Sequence, residues 1–287
     1  MNGQVLTKSH IAALLGRRRQ DANKGDSGHG LLIAGSGNMP GAACMAAASA
    51  LRGGVGTLKV VCPAPAVDGL RSLPEAMLAP LPGKSWASCS DEFLMPYLEA
   101  ATCIAIGPGM GREPATDDVL RMVLAAGKPT VVDADGLFAL ARMGPKGLLH
   151  ENVVLTPHFG EMARLCGLSI PQVREGQEAI ARRYAAEWGC TVLLKGHRSV
   201  IAGPGGRFAW NETGNPGLAK GGSGDVLAGI TLAMLGQKLA PFDGACAASY
   251  LLGASADAAV ELLRERMLMA RDVTEMIERT LAQSVYQ

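Results

Sequence analysis

From residue 30 onward the chain alternates short aliphatic runs with longer stretches whose apolar positions recur at helical spacing. The runs at 30–35 (GLLIAG), 57–62 (TLKVVC), 103–107 (CIAIG), 129–133 (PTVVD), 152–156 (NVVLT) and 191–195 (TVLLK) predict strands. Most lack a strict period of two, which is the pattern of parallel strands covered on both faces. Between them, 42–52, 115–126 and 173–188 carry apolar stripes and predict helices. Two more short strands, 199–202 and 207–210, precede three successive helices at 223–236, 241–263 and 271–282. The expectation is an α/β fold with a mostly parallel central sheet and helices on both faces. No repeat or linker divides the chain, so 1–287 reads as one domain. Its polar, basic first 24 residues, with Arg17-Arg18-Arg19, form a short helix and an N-terminal arm.

Composition narrows the function. Hydrophobic residues are 48% and charged residues 18% of the chain, which excludes a disordered polypeptide. Aromatic residues are only 4% and the net charge is +1, so neither a stacking platform nor a basic field exists for nucleic acid. The seven cysteines are scattered, never in a C-x-x-C pair, and several lie inside apolar runs, as expected of reduced thiols. No apolar run approaches membrane-spanning length and the N-terminus lacks a signal-like pattern, so the expected setting is cytoplasmic, with no membrane contact.

Chemistry in such folds gathers at the carboxyl ends of the strands. The strongest segment is Asn215-Pro216-Gly217-Leu218-Ala219-Lys220-Gly221-Gly222-Ser223-Gly224-Asp225, directly ahead of an apolar helix. Clustered glycines free backbone N–H groups to face an anion, and the helix N-terminus favours negative charge. The amides of Gly222, Ser223, Gly224 and Asp225 thus form a candidate anion hole. Asp225, kept ionised by the same positive end, would take a proton from a hydroxyl; the bland alternative is that it only complements the helix dipole.

Other strand-end turns leave their alternatives open. Gly35 to Ala43 and Gly107 to Gly111 are either ligand-approach turns or plain strand-to-helix turns, and neither fits a P-loop. His158, in Thr156-Pro157-His158-Phe159-Gly160-Glu161, is either a ligand or a backbone cap. Lys195-Gly196-His197-Arg198-Ser199 offers a cation and a hydroxyl for nucleotide phosphate or ribose, or merely a solvated edge charge. Asp133 and Asp135 are spaced to face the same way, either as an indirect magnesium site or with one capping the next helix.

Across nearly its whole length the chain resembles the ADP-dependent NAD(P)H-hydrate dehydratases of the ribokinase-like superfamily. The likeness runs from Lys24-Gly25-Asp26 and the Gly35 turn through Ile106-Gly107-Pro108-Gly109, Asp133-Ala134-Asp135 and Leu155-Thr156-Pro157-His158 to Gly221-Gly222-Ser223-Gly224-Asp225-Val226-Leu227. The resemblance implies dehydration of the S epimer of hydrated NADH or NADPH, consuming ADP, or ATP in some relatives, with magnesium. It implies hydrate contacts at Ala42 or Ala43, Gly109, His158 and Asp225, and adenine-nucleotide contacts at Lys195, Gly196, His197, Arg198, Ser199 and Gly224. It also implies a homotetramer, and dependence on a separate NAD(P)H-hydrate epimerase or on spontaneous epimerisation. The sequence departs from the family pattern at Phe159, where a second proline is common, at Gly136 and Phe138, and at Lys220, often threonine. Two other readings stand beside it: a ribokinase-like kinase of a vitamin-precursor alcohol, and a nucleotide-binding module without turnover.

Overall fold

The computed structural model describes residues 3–17 and 20–285; Arg18 and Arg19 of the expected basic arm lie outside the described residues. Ten strands form one sheet: β1 (Gln4–Val5), β2 (His29–Ile33), β3 (Thr57–Cys62), β4 (Ala76–Pro80), β5 (Cys103–Ile106), β6 (Thr130–Val132), β7 (Val153–Leu155), β8 (Thr191–Leu194), β9 (Ser199–Ala202) and β10 (Phe208–Asn211). Their order is β1-β10-β9-β8-β7-β6-β5-β2-β3-β4. From β4 across to β8 every neighbouring pair is parallel. β8-β9-β10 is an antiparallel meander, with β1 parallel on its outer edge. The expected mostly parallel sheet is therefore present, and all eight expected strands lie in it.

The continuous apolar runs are explained by burial on both faces. Leu32, Ala105, Val131, Val154 and Leu193 point into one core. Ile33, Ile104, Ile106, Val132, Leu155 and Leu194 point into the other. The first core is closed by α1 (Lys8–Leu15), α2 (Pro40–Arg52), α9 (Ser223–Gly236), α10 (Pro241–Leu263) and α11 (Ala270–Val285). The second lies under α3 (Asp91–Ala100), α4 (Ala115–Ala125), α5 (Ala134–Met143), α6 (Phe159–Cys166), α7 (Ile170–Glu175) and α8 (Gln177–Trp188). The single helix expected over 173–188 is broken at Gly176.

Two packing features place the site. α9 is apolar all round because it is buried all round, Val226 through Gly236. It crosses α2 so closely that a Cβ on Gly229 would fall 2.0 Å from Ser49 Oγ. The Ala-rich sequence of α2 is what permits this approach, and it fixes the start of α9 beside the strand ends. α10, long and apolar enough to cross a membrane by length and composition, packs here on α9, α11 and the ends of β7 to β10. The N-terminal stretch is docked on the protein: Leu6 and Ile11 are buried, and β1 joins the sheet edge.

Candidate active site

The carboxyl ends of β6, β7 and β8 and the N-terminus of α9 enclose a cavity of about 810 Å³. Asp133 ends β6 and begins α5 as its N-cap. Its Oδ1 accepts hydrogen bonds from Lys195 Nζ (2.9 Å) and the Thr156 hydroxyl (2.7 Å). Burial disfavours the lysine charge, but Asp133, Glu161 and Asp225 outweigh it and hold the Lys195 pKa above the ordinary lysine value. Lys195 is thus a fixed cation anchored inside the site, which removes the edge-charge reading.

Gly222 caps α9 in the left-handed region (φ 99°), where glycine pays no Cβ penalty. A Cβ there would meet Met45 Sδ at 2.5 Å. The first helical hydrogen bond is donated by Val226 N–H to Gly222 O, so the amides of Ser223, Gly224 and Asp225 have no acceptor within the helix. Gly224 lies beside the ion pair: a Cβ there would fall 3.4 Å from Lys195 Nζ and 3.5 Å from Asp133 Oδ2. Backbone amides, an ammonium and a helix N-terminus converge where a phosphoryl group would sit.

The electrostatics of Asp225 correct the expectation that the helix end keeps it ionised. Burial first, then the nearby charge of Asp133, raises its pKa to about 7, with Lys195 opposing and Asp135 adding a smaller push. A carboxyl poised near neutrality is suited to both accepting and returning a proton. Glu161 is likewise raised to about 7, by burial against the pull of Lys195 3.9 Å away. Glu161 was not singled out from the sequence; its signal was its place three residues after His158, where it completes a capping box.

His158 is a backbone cap that also lines the cavity. Its Nδ1 accepts from Gly160 N–H (2.9 Å) and Glu161 N–H (3.3 Å), while Glu161 Oε2 accepts from His158 N–H at 2.8 Å. Burial, with the charges of Lys195 and Arg164, lowers its pKa and keeps Nδ1 free to accept. Gly196, His197 and Ser199 line the cavity, but Arg198 does not: it turns outward to Glu212 (2.7 Å) and stacks on Trp210. The Phe159 ring packs against Gly196.

Ala42, Ala43 and Gly109 lie apart from this lining. Ala43 is fully buried under Gly35, and Gly109 abuts Ala42, so these residues form the wall between the β2 and β5 turns. Asp133 and Asp135 do not face the same way. Asp135 turns to accept from Gly111 N–H (2.9 Å) and Arg112 (3.2 Å), because Ala134 between them adopts φ 47°. Lys220 bonds the Arg266 carbonyl at 2.7 Å. The loop ahead of α9 is held from a distance: Asp257 of α10 accepts from Gly214 N–H (2.8 Å) and the Asn215 amide (2.9 Å). No local motif marked Asp257.

With this geometry in view, residues 30–279 match the NAD(P)H-hydrate dehydratase family. The chain belongs to that family. One relative is the bifunctional NAD(P)H-hydrate repair enzyme of Moorella thermoacetica, 40% identical over 284 residues, with 96% of this chain and 53% of that protein covered. The chain thus spans about half the length of such bifunctional relatives. The ADP/ATP-dependent NAD(P)H-hydrate dehydratase of Bacillus subtilis, co-crystallised with ATP and Mg2+, superposes with a TM-score of 0.86 at 31% identity, covering 99% of each chain. A ribokinase-like superfamily protein of Enterococcus faecalis superposes with a TM-score of 0.89 at 27% identity, covering 99% of this chain and 97% of that one. The fold is ribokinase-like, as the resemblance implied.

Proposed function

We propose that this protein dehydrates the S epimer of NAD(P)H hydrate with ADP as phosphoryl donor, releasing AMP and phosphate. The observation that carries the reading is the position of Asp225: a carboxyl with a pKa of about 7 in the first turn of α9, beside unpaired amides and the Lys195–Asp133 pair. A ring hydroxyl is a poor leaving group, and phosphorylation makes it a good one. Asp225 takes the hydroxyl proton as the oxygen attacks the β-phosphorus; the bond to AMP breaks, and the amides of Ser223 to Asp225 with Lys195 hold the transferred charge. Departure of the phosphate ester's oxygen from the ring, with loss of the neighbouring ring proton, restores the reduced nicotinamide.

Magnesium fits this donor set. The cavity carries Asp133, whose Oδ2 is clear of its Lys195 and Thr156 bonds, and Asp225. Two such carboxylates suit an ion bound mainly by nucleotide oxygens and water. The metal would neutralise phosphate charge. We further propose a homotetramer working in the cytoplasm, with a separate epimerase converting the other hydrate epimer into the S form that this protein consumes. Lys195, Gly196, His197, Ser199 and Gly224 would hold the nucleotide, and Ala42, Ala43, Gly109 and His158 the hydrate side, with Arg198 acting from outside the cavity.

The test is product identification by phosphorus NMR. One AMP and one phosphate formed from ADP per NADH regenerated supports the reading. A stable phosphorylated alcohol with no NADH would favour the kinase alternative instead.

A further inference from the structure

Phe138, half-buried on α5, is surrounded by three guanidinium groups from three segments. Arg112 lies 4.7 Å from the ring centroid, Arg164 5.0 Å and Arg142 5.7 Å. One of the three is spent on structure: Arg142 pairs with Asp117 and donates to the carbonyls of Arg112 and Glu113. The other two keep donors free. Arg112 meets Asp135 through Nε alone and its side chain is 62% exposed. Among the described residues Arg164 has no carboxylate within ion-pair distance, and it is exposed. Stacking on an aromatic face orients a guanidinium while leaving its edge N–H groups open to a ligand.

Three cations gathered around one ring repel one another, which offsets part of what their contacts with the ring contribute to folding. The arrangement suits an anion. We propose that Arg112 and Arg164, presented by Phe138, bind a phosphate of the dinucleotide substrate at the rim of the active site, an inference that rests on the function proposed above. The patch is well placed for it. Arg112 continues the turn that carries Gly109, whose neighbour is Ala42, on the side assigned to the hydrate. The charge of Arg164 reaches His158 and Glu161, both of which line the cavity. The amides of α9 are committed to the transferred phosphoryl group, so the pyrophosphate, or the 2′-phosphate of the NADP form, needs a second anion site.

Steady-state kinetics of Arg164→Gln with NADH hydrate and NADPH hydrate, measured beside the wild type, tests this. The expected result is a KM for hydrate raised about tenfold, roughly 1.4 kcal/mol, with KM for ADP unchanged and partial recovery in Arg164→Lys. A rise with both substrates assigns the pyrophosphate; a rise with NADPH hydrate alone assigns the 2′-phosphate. Phe138→Leu, which keeps every charge but removes the platform, should shift the same constant in the same direction. Unchanged hydrate KM in Arg164→Gln and Phe138→Leu, with wild-type turnover intact, overturns the patch alone. Absence of nucleotide-dependent turnover in the wild type overturns the functional reading and the patch with it.

Discussion

Lys195 Nζ lies 2.9 Å from Asp133 Oδ1 although the two residues are 62 positions apart, and Gly224 of the α9 N-terminus lies beside the pair. Asp133 holds the lysine and also raises the pKa of Asp225. Asp133→Asn should therefore move the acid limb of the kcat/KM profile to lower pH, because one like charge is removed while Lys195 continues to favour ionised Asp225. A limb that stays in place would show that Asp133 does not act on the base.

Asp225→Asn should keep nucleotide affinity and lose about 10²- to 10⁴-fold in turnover, the usual share of a positioned general base. Its effect on stability has the opposite sign. The folded pKa of about 7 lies above the unfolded value of 3.8, so the folded state holds its proton longer and loses stability as pH rises between these values. The amide avoids that loss. A melting temperature above wild type at pH 8, with the difference shrinking to nothing near pH 4, is expected by calorimetry.

His158→Ala should cost about 1 kcal/mol of stability in urea unfolding at pH 8, because the amides of Gly160 and Glu161 lose their acceptor. His158→Asn should restore most of it. The wild-type pKa is lowered, so the cap is present above the unfolded value near 6.5 and is lost as pH falls through the folded pKa. The difference between wild type and His158→Ala should accordingly narrow in acid.

Gly107→Ala should be among the most damaging small substitutions in the protein. Gly107 has φ 124°, and a Cβ there would fall 1.8 Å from the Asp133 carbonyl oxygen. The added methyl must push Asp133 away from Lys195 or distort β5. Loss of both stability and nucleotide binding is expected; a variant with wild-type melting and affinity would contradict the positioning argument.

Much of the fold could be read from the chain because the parallel strands announce themselves. Residues 104–106 and 192–194 are aliphatic on both faces, and the glycine-rich run leads straight into the helix that starts at Ser223. β4 and α3 within 64–100 escaped notice: Ala76–Pro80 is an edge strand with Met77 exposed, so it carries neither a buried run nor clean alternation. β1 is two residues long and is held by its partner β10. Asp133, His158, Lys195 and the Gly222 to Asp225 turn of the cavity lining stood out as strand-end turns, but Glu161 and the site's electrostatics did not. The ionisation of Asp225 depends on burial and on Asp133, ninety-odd positions away in sequence. The support of Asn215 by Asp257 likewise exists only once α10 has docked.

The most direct measurement of the central claim is absorbance at 340 nm when the protein is mixed with NADH hydrate, magnesium and ADP, alongside Asp225→Asn and a control without nucleotide. A rise that requires nucleotide and all but disappears in Asp225→Asn is the predicted result. A rise without nucleotide, or one that persists at near-normal rate in Asp225→Asn, would contradict it.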